Sequence, residues 1–486
     1  MQNVKCRMAA IVFAALLLLG ACTPSNSNNN RRDHEFVDGA AFRVLLQEAG
    51  LPVEHLDVED IQIVRADVLF GYANDLFDIH AITDAWGGRH VGYTFGWFAE
   101  NNDNLNNDAS ITRAQATHFV NGVREVKDRR ASSLTAFYAI ASFDQIHMID
   151  ALDVVSMGWS RFDIIDGEAV FNLSVQNDNE YSIPLGYALP MERARANNVP
   201  VYLMVAGNMA HHGGMTTAAY IVRDPTMRES ALNDLVDAAE NGVISPVSGQ
   251  RIFFDGITMD FEEMRGAETR EAYSQFIIDL RTRLPEGFGL LICVHPAVGR
   301  GMPFFDAFDF RVLGEHSDGL IVMAHDYYAK SLSEEELLLG EVATRTPPSP
   351  IADVYYAIYA ATHSETGTDP ANVWLAMSFT GVQWQMRDGV VQNRIPLRPT
   401  NDAIERRLPH ATVTHGASGN PRAVWTYNDL ENVMFFEDAV STMQRQRLAD
   451  MFGLAGLSLW RLGNVPDGSA DVDMDAWDRL LAHRDR

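Results

Sequence analysis

The sequence predicts an α/β protein: a (β/α)8 TIM barrel preceded by a small, mostly helical module, with a small inserted lobe between its seventh and eighth strands. Three observations carry this. From about residue 131, eight short apolar or β-branched runs alternate with stretches of helical spacing, at 134–142, 154–159, 199–205, 252–261, 290–294, 320–324, 373–379 and 457–460. Continuous apolar strands separated by helices are what a parallel sheet covered on its faces requires, and eight of them suit a closed barrel. Between residues 31 and 130 the apolar residues recur at helical spacing instead. The interval between the seventh and eighth runs is too long for one helix, so residues 385 to about 430 read as a lobe over the barrel's C-terminal end.

Taken in chain order, the first segment is a signal. Lys5 and Arg7 precede the apolar run 8–19. A bilayer span needs about 20 apolar residues, so this run suits the core of a signal peptide. It ends Leu19-Gly20-Ala21-Cys22, which resembles the bacterial lipobox. The resemblance implies a signal over 1–21, cleavage before Cys22 and lipidation of Cys22; an ordinary secretory signal with a chance cysteine is the alternative. The polar tract that follows, within 22–33, reads as a flexible tether. The expected location is therefore the extracellular face of the bacterial cell membrane, lipid-anchored, with cell-wall association as an extension.

Residues 34–130 form the helical module. Apolar-periodic stretches fall at 42–46, 63–76 and 111–126, the last with Ser110 or Thr112 as N-cap candidates. The segments at 63–67 (IVRAD) and 111–115 (ITRAQ) look like an internal repeat. They resemble the opening of S-layer homology modules, with Arg65 and Arg113 at corresponding positions and Val64 where Thr is usual. That resemblance implies binding of anionic wall polymers; a helical spacer whose arginines pair with neighbouring acids is the alternative.

The barrel occupies 131–486. After its fourth run, Tyr273, Phe276, Ile277, Leu280 and Leu284 fall on one helical stripe closed by Pro285 and Gly287. The acids Glu334, Glu335 and Glu336 after Ser333 read as a helix start. The whole chain carries 65 acidic against 38 basic side chains, a formal net charge of −27, which argues against nucleic acid as a partner. Its three cysteines, Cys6, Cys22 and Cys293, make no disulfide scaffold, and Cys293 reads as a small buried hydrophobe. No cofactor is implied, and the adjacent His211 and His212 do not by themselves make a metal site.

The chemistry concentrates at 254–263. On a strand, Thr258, Asp260 and Glu262 share one face, while Ile257, Met259 and Phe261 share the other and suit the packing helices. The polar face then points into the barrel and opens at its C-terminal mouth. Two carboxylates two positions apart can share a proton, which keeps one of them protonated near neutral pH and fit to be a general acid. By the same alternation Glu263 falls on the opposite face and is set aside. Trp159, Asn208 and Trp384 stand near strand ends, as cleft-lining or packing residues.

At these residues the sequence resembles glycoside hydrolase family 18, whose fourth-strand pattern is DGxDxDxE. Asp255, Gly256, Asp260 and Glu262 match it, and Thr258 stands where the first inner Asp usually sits. Met323-Ala324-His325-Asp326 resembles the sixth-strand MxYD motif, and 457–463 resembles the WRLG segment of spore-cortex and cell-wall members. Residues 436–441 resemble the turn before that last strand. The resemblance implies that Glu262 is the catalytic acid and base. It also implies that the substrate's own 2-acetamido oxygen is the nucleophile, oriented by Asp260, which confines the substrate to polymers containing N-acetylglucosamine. Asp255, Thr258, Met323, His325, Asp326, Trp460 and Tyr138 form the implied substrate-binding set, with Trp460 as the floor beneath the sugar. Thr258 removes a second inner charge, and His325 replaces a Tyr that hydrogen-bonds the acetamide. These departures leave open a glycan-binding barrel with weak or no turnover.

Overall fold

The computed structural model describes residues 35–98, 105–139, 141–299, 305–467 and 474–485. The expected signal, its tether and Cys22 lie outside the described residues.

Eight strands close the barrel: β1 (Ser133–Tyr138), β2 (Val154–Ile165), then after a return strand β3 (Glu168–Asn172) come β4 (Val201–Gly207), β5 (Gly256–Asp260), β6 (Gly289–Val294), β7 (Gly319–Val322) and β8 (Val373–Ser378). The lobe follows, with β9 (Val382–Arg387), β10 (Val390–Val391), β11 (Thr412–His415), β12 (Pro421–Tyr427) and β13 (Leu430–Phe435), and β14 (Gly456–Trp460) completes the barrel. β1 pairs in parallel with both β2 and β14, which closes the ring. All eight predicted runs are barrel strands.

Strand parity sorts the apolar residues into two layers. Phe137, Met204, Ala206, Leu291, Cys293, Ile321 and Ala376 form the inner cluster, while Ile257, Met259 and Phe261 join the outer core against the helices. The helix Ala267–Arg283 buries Tyr273, Phe276, Ile277 and Leu280, the predicted stripe.

Two features go beyond the sequence reading. β2 runs on past the expected 159 and folds back antiparallel through Asp166-Gly167, both with positive φ, a type I′ hairpin turn. The lobe is an antiparallel sheet in the order β10-β9-β13-β12-β11, with tight turns at Asp388-Gly389 and Asn428-Asp429. Trp384, Met386, Val433 and Phe435 make its core, joined by Tyr328 and Leu332 from the loop after β7. Ser333 and Glu336 form the capping box of the helix Glu334–Leu337.

The N-terminal module contributes helices Gly39–Glu48, Ala66–Phe77, His80–Trp86, Gly88–Thr94 and Arg113–Asp128. Its repeated segments lie side by side: Ile111 donates to the Val64 carbonyl at 2.9 Å, and Arg65 bridges Ser110. Thr112, not Ser110, caps the last helix, in a reciprocal box with Gln115. Val64 has no hydroxyl to offer, and the helix of the first copy starts one residue later, at Ala66, without a side-chain cap. The module shares one hydrophobic core with the barrel. Trp86 stacks on Tyr356 at 4.6 Å and donates to the Ala352 carbonyl, Phe95 packs edge-on against Phe452, and Arg129 donates to the Met451 carbonyl. The change of pattern near residue 130 is thus a change of architecture without a break in packing.

Candidate active site

The C-terminal ends of β5, β6, β7, β8 and β14 surround a cavity of about 770 Å³ lined by Asp260, Glu262, Cys293, His295, Met323, His325, Asp326, Ala376 and Trp460, among others. That volume lies within the usual range of small-molecule sites.

β5 delivers the acids as its parity predicts. Thr258 is fully buried and shares a 2.7 Å hydrogen bond with Ser156 of β2. Asp260, 5% exposed, stands above it, and its Oδ1 has no hydrogen-bond partner among the described residues. Burial pushes the Asp260 carboxyl up to about 6, against a hydrogen bond from the Cys293 thiol and the charge of His325. Glu262 lines the cavity and keeps 37% of its side chain accessible there. Burial there, followed by the charges of Asp260, Glu263 and Asp326, raises it well above the usual carboxylate range, with Lys330 opposing.

β6 supplies the neighbours. Leu291 is in register with Thr258 and Ile292 with Met259. One step further the same register sets Cys293 beside Asp260, and two further sets His295 beside Glu262. His295 accepts the Glu263 N–H at Nε2, 3.0 Å away, and the same nitrogen lies 3.5 Å from Glu262 Oε2.

The loop after β7 forms the opposite wall. Met323 and His325 line it, and His325 Nδ1 lies 3.9 Å from Asp326, too far for a hydrogen bond. Asp326 also meets Lys330 at 3.1 Å and Arg398, which the lobe contributes, at 3.8 Å. Although burial works upward on Asp326, His325, Lys330 and Arg398 hold its carboxyl well below the usual range. Trp460 lines the cavity from β14, edge-on to Phe137 at 5.1 Å.

Three of the predicted substrate-binding residues do not line the cavity, the first being Thr258, which is fully buried and bonded to Ser156. Asp255 precedes β5, at the barrel's opposite end, where its carboxylate accepts the Val201 N–H at 2.8 Å. Tyr138 is on the outer face of β1, packed edge-on against Trp159, and its neighbour Phe137 lines the cavity instead. Trp159 and Trp384 are buried packing residues, and Asn208 donates to Asp163. His211 and His212 form a two-residue ladder with Met215 and Thr216. Cys293 is buried as expected, but next to an acid. Conversely, Glu263 does line the cavity: β5 ends at Asp260, and Glu263 takes a positive φ of 55°, so alternation no longer applies. Sequence reasoning also missed His295, Lys330 and Arg398. The signal for His295 was the inner-face alternation Leu291, Cys293, His295, readable once β6 is laid beside β5.

A closed parallel barrel with an interacting acid pair at its C-terminal mouth defines the class of (β/α)8 proteins whose strand ends carry a catalytic-type site. The model of glycosyl hydrolases family 18 matches residues 89–464, and the chain belongs to that family. The match begins inside the helical module, in the helix Gly88–Thr94 that packs on the barrel. Among curated relatives, the cortical fragment-lytic enzyme of Bacillus anthracis is 20% identical over 309 residues, 61% of this chain and 64% of that protein. That of Bacillus subtilis (strain 168) is 26% identical over 254 residues, 50% of this chain and 52% of that one. The chain thus spans between about half and two thirds of the length of these relatives. Two solved structures share the fold: the Bacillus cereus spore cortex-lytic enzyme, with TM-score 0.55, 17% identity and coverage of 73% of this chain and 75% of that one, and a class V chitinase from Pseudomonas fluorescens Pf-5, with TM-score 0.55, 19% identity and coverage of 73% and 99%.

Proposed function

We propose that the protein is a retaining glycoside hydrolase that cleaves β-1,4 bonds at N-acetylglucosamine residues of peptidoglycan, spore cortex or chitin. The observation that carries this is the pair Asp260 and Glu262, on one inner face at the barrel mouth, both raised by burial. A carboxyl group kept protonated near neutral pH is what a leaving glycosidic oxygen needs. Glu262 protonates that oxygen while the substrate's acetamide oxygen closes on the anomeric carbon. Asp260 orients the acetamide and offsets the positive charge of the cyclic intermediate. Glu262, now a carboxylate, takes a proton from the incoming water. Trp460 provides an apolar floor for the sugar ring. The names of the curated relatives favour a wall or cortex polymer over chitin.

The same proposal includes a lipid anchor at Cys22 on the outer face of the cell membrane, supported by the apolar run and the residues that precede Cys22. A wall-polymer contact through the helical module falls to the exposed Arg113, because the Arg65 guanidinium is taken by Asp67 at 2.8 Å and Asp108 at 3.4 Å.

The test compares Glu262→Gln with wild type on chitooligosaccharides and on purified peptidoglycan. Release of reducing ends by wild type, lost in the variant, is expected; equal release by both proteins would show that Glu262 is not the acid.

A further inference from the structure

We propose that His295 is a positioning residue that keeps Glu262 in its protonated, proton-donating form. This rests on the reading of Glu262 as the general acid. The Glu263 main-chain N–H donates to His295 Nε2 at 3.0 Å, so that nitrogen presents a lone pair and the ring proton sits on Nδ1. The same Nε2 lies 3.5 Å from Glu262 Oε2. An ionised Glu262 would set an oxyanion against the lone-pair edge of the ring, whereas a protonated Glu262 can share that acceptor with the Glu263 N–H in a longer, three-centre contact. The distance alone would suit an ion pair, but the imidazole is neutral. Burial first, then His325, Lys330 and Arg265, bring its pKa down to about 3, with Asp326 opposing. Phe305, 4.4 Å away, packs against the ring.

Other groups act on Glu262 through charge. Asp260 and Glu263 on its own segment and Asp326 after β7 favour the protonated acid, while Lys330 favours the carboxylate. Cys293 on β6 and Tyr181, from the loop after β3, also feel the Glu262 charge and are themselves raised, by burial above all. His325 and Arg398 act on Asp326. His295 differs from all of these, because it works through an acceptor of fixed orientation. Its bond to Glu263 also pins the turn in which β5 ends, which sets where Glu262 points. When a glycosidic oxygen arrives, the Glu262 proton passes to it, Glu262 becomes a carboxylate and the imidazole stays neutral throughout.

The test uses the full chain and two readings. With 15N-labelled histidine, the wild-type His295 signal, assigned by its loss in His295→Gln, should remain the neutral Nδ1–H tautomer from pH 8 to pH 5. An Nε2–H tautomer or a charged ring at pH 6 overturns the proposal, and this reading is made on the wild-type protein. With 13C-carboxyl-labelled glutamate, Glu262 is assigned by its loss in Glu262→Gln. His295→Phe should lower its midpoint by about one unit, a tenfold change. His295→Gln, whose amide oxygen can take the Glu263 N–H, should leave it in place. An unchanged midpoint in His295→Phe overturns the proposal. These readings need no turnover, so a wild type silent on every glycan would sink the hydrolase reading alone. In an active enzyme, the basic limb of kcat/KM should move to lower pH in His295→Phe, with KM at pH 5 unchanged.

Discussion

Thr258 and Ser156 share a 2.7 Å hydrogen bond inside the barrel, on the face that carries Asp260 two residues further along β5. This neutral pair occupies the place where the family pattern has a carboxylate, so the inner face holds two acids in this chain. Thr258→Asp would add a third at a fully buried position. Its folded pKa would be raised above the unfolded value by burial and by Asp260. A group raised in this way contributes its stability below the unfolded pKa, about 4, and loses it as pH rises through the folded value. The variant should therefore melt below wild type at pH 7, with the gap closing toward pH 4, as read by calorimetry. A gap independent of pH would mean that the new carboxyl is not forced to ionise in the core.

The same sign governs Asp260 itself. Its carboxyl is pushed up to about 6 by burial, so the wild-type fold loses stability as pH rises from about 4 through about 6. Asp260→Asn removes the group that must ionise. It should be more stable than wild type at pH 7.5, by on the order of 3 kcal/mol at most, and nearly equal to it at pH 4. Urea unfolding at the two pH values measures this, and hydrolysis should fall at both, since an Asn cannot offset the charge of the intermediate.

A third prediction concerns the join between lobe and barrel. Arg445 is fully buried against Glu437 at 3.4 Å and donates to the Gly419 carbonyl, the Ser349 carbonyl and Asn420. Glu437→Leu would remove the larger of the two countercharges, Glu437 and Asp438, that act on a buried guanidinium, at a cost of up to about 3–5 kcal/mol. Arg65→Ala breaks pairs that lie at the surface and should cost less than about 1 kcal/mol. Unfolding free energies of the two variants should differ accordingly; equal losses would mean that Glu437 does not balance Arg445.

What could be read in advance follows the reach of each interaction. The eight strands and the facing of Asp260 and Glu262 were legible because a period of two is written in the strand itself. Asp255 fits the same motif, yet it stands one residue before the first ladder position, Gly256, and reaches back to Val201. Tyr138 fails by parity, since Thr135 and Phe137 are the inward residues of β1. Glu263 fails where the strand stops and φ turns positive. His295, Lys330 and Arg398 come from three further segments and meet Glu262 and Asp326 only through the closed barrel and its lobe. The turns Asp166-Gly167 and Asp388-Gly389, by contrast, are local signals, since Asp-Gly suits the positive φ that a tight hairpin requires.

The last prediction tests whether the helical module belongs to the catalytic unit. Trp86 stacks on Tyr356 of the helix Ile351–Thr362 at 4.6 Å, and a Cβ placed on Gly299 would come within 3.0 Å of its ring. Gly299 follows Val298, which lines the cavity, and His295 lies four residues earlier. The module thus supports the segment after β6 from outside. Trp86→Ala should cost about 2 kcal/mol, less than a fully buried Trp because Trp86 is half-buried. It should also raise KM for oligosaccharides as the segment shifts, whereas Trp86→Phe, which retains the ring contact, should restore both. Deleting residues 31–98 would uncover Tyr355 and Phe452, both buried against Phe95, and should yield an insoluble or markedly less stable barrel. A truncated barrel that melts and hydrolyses like the full chain would show that the module is only an attachment.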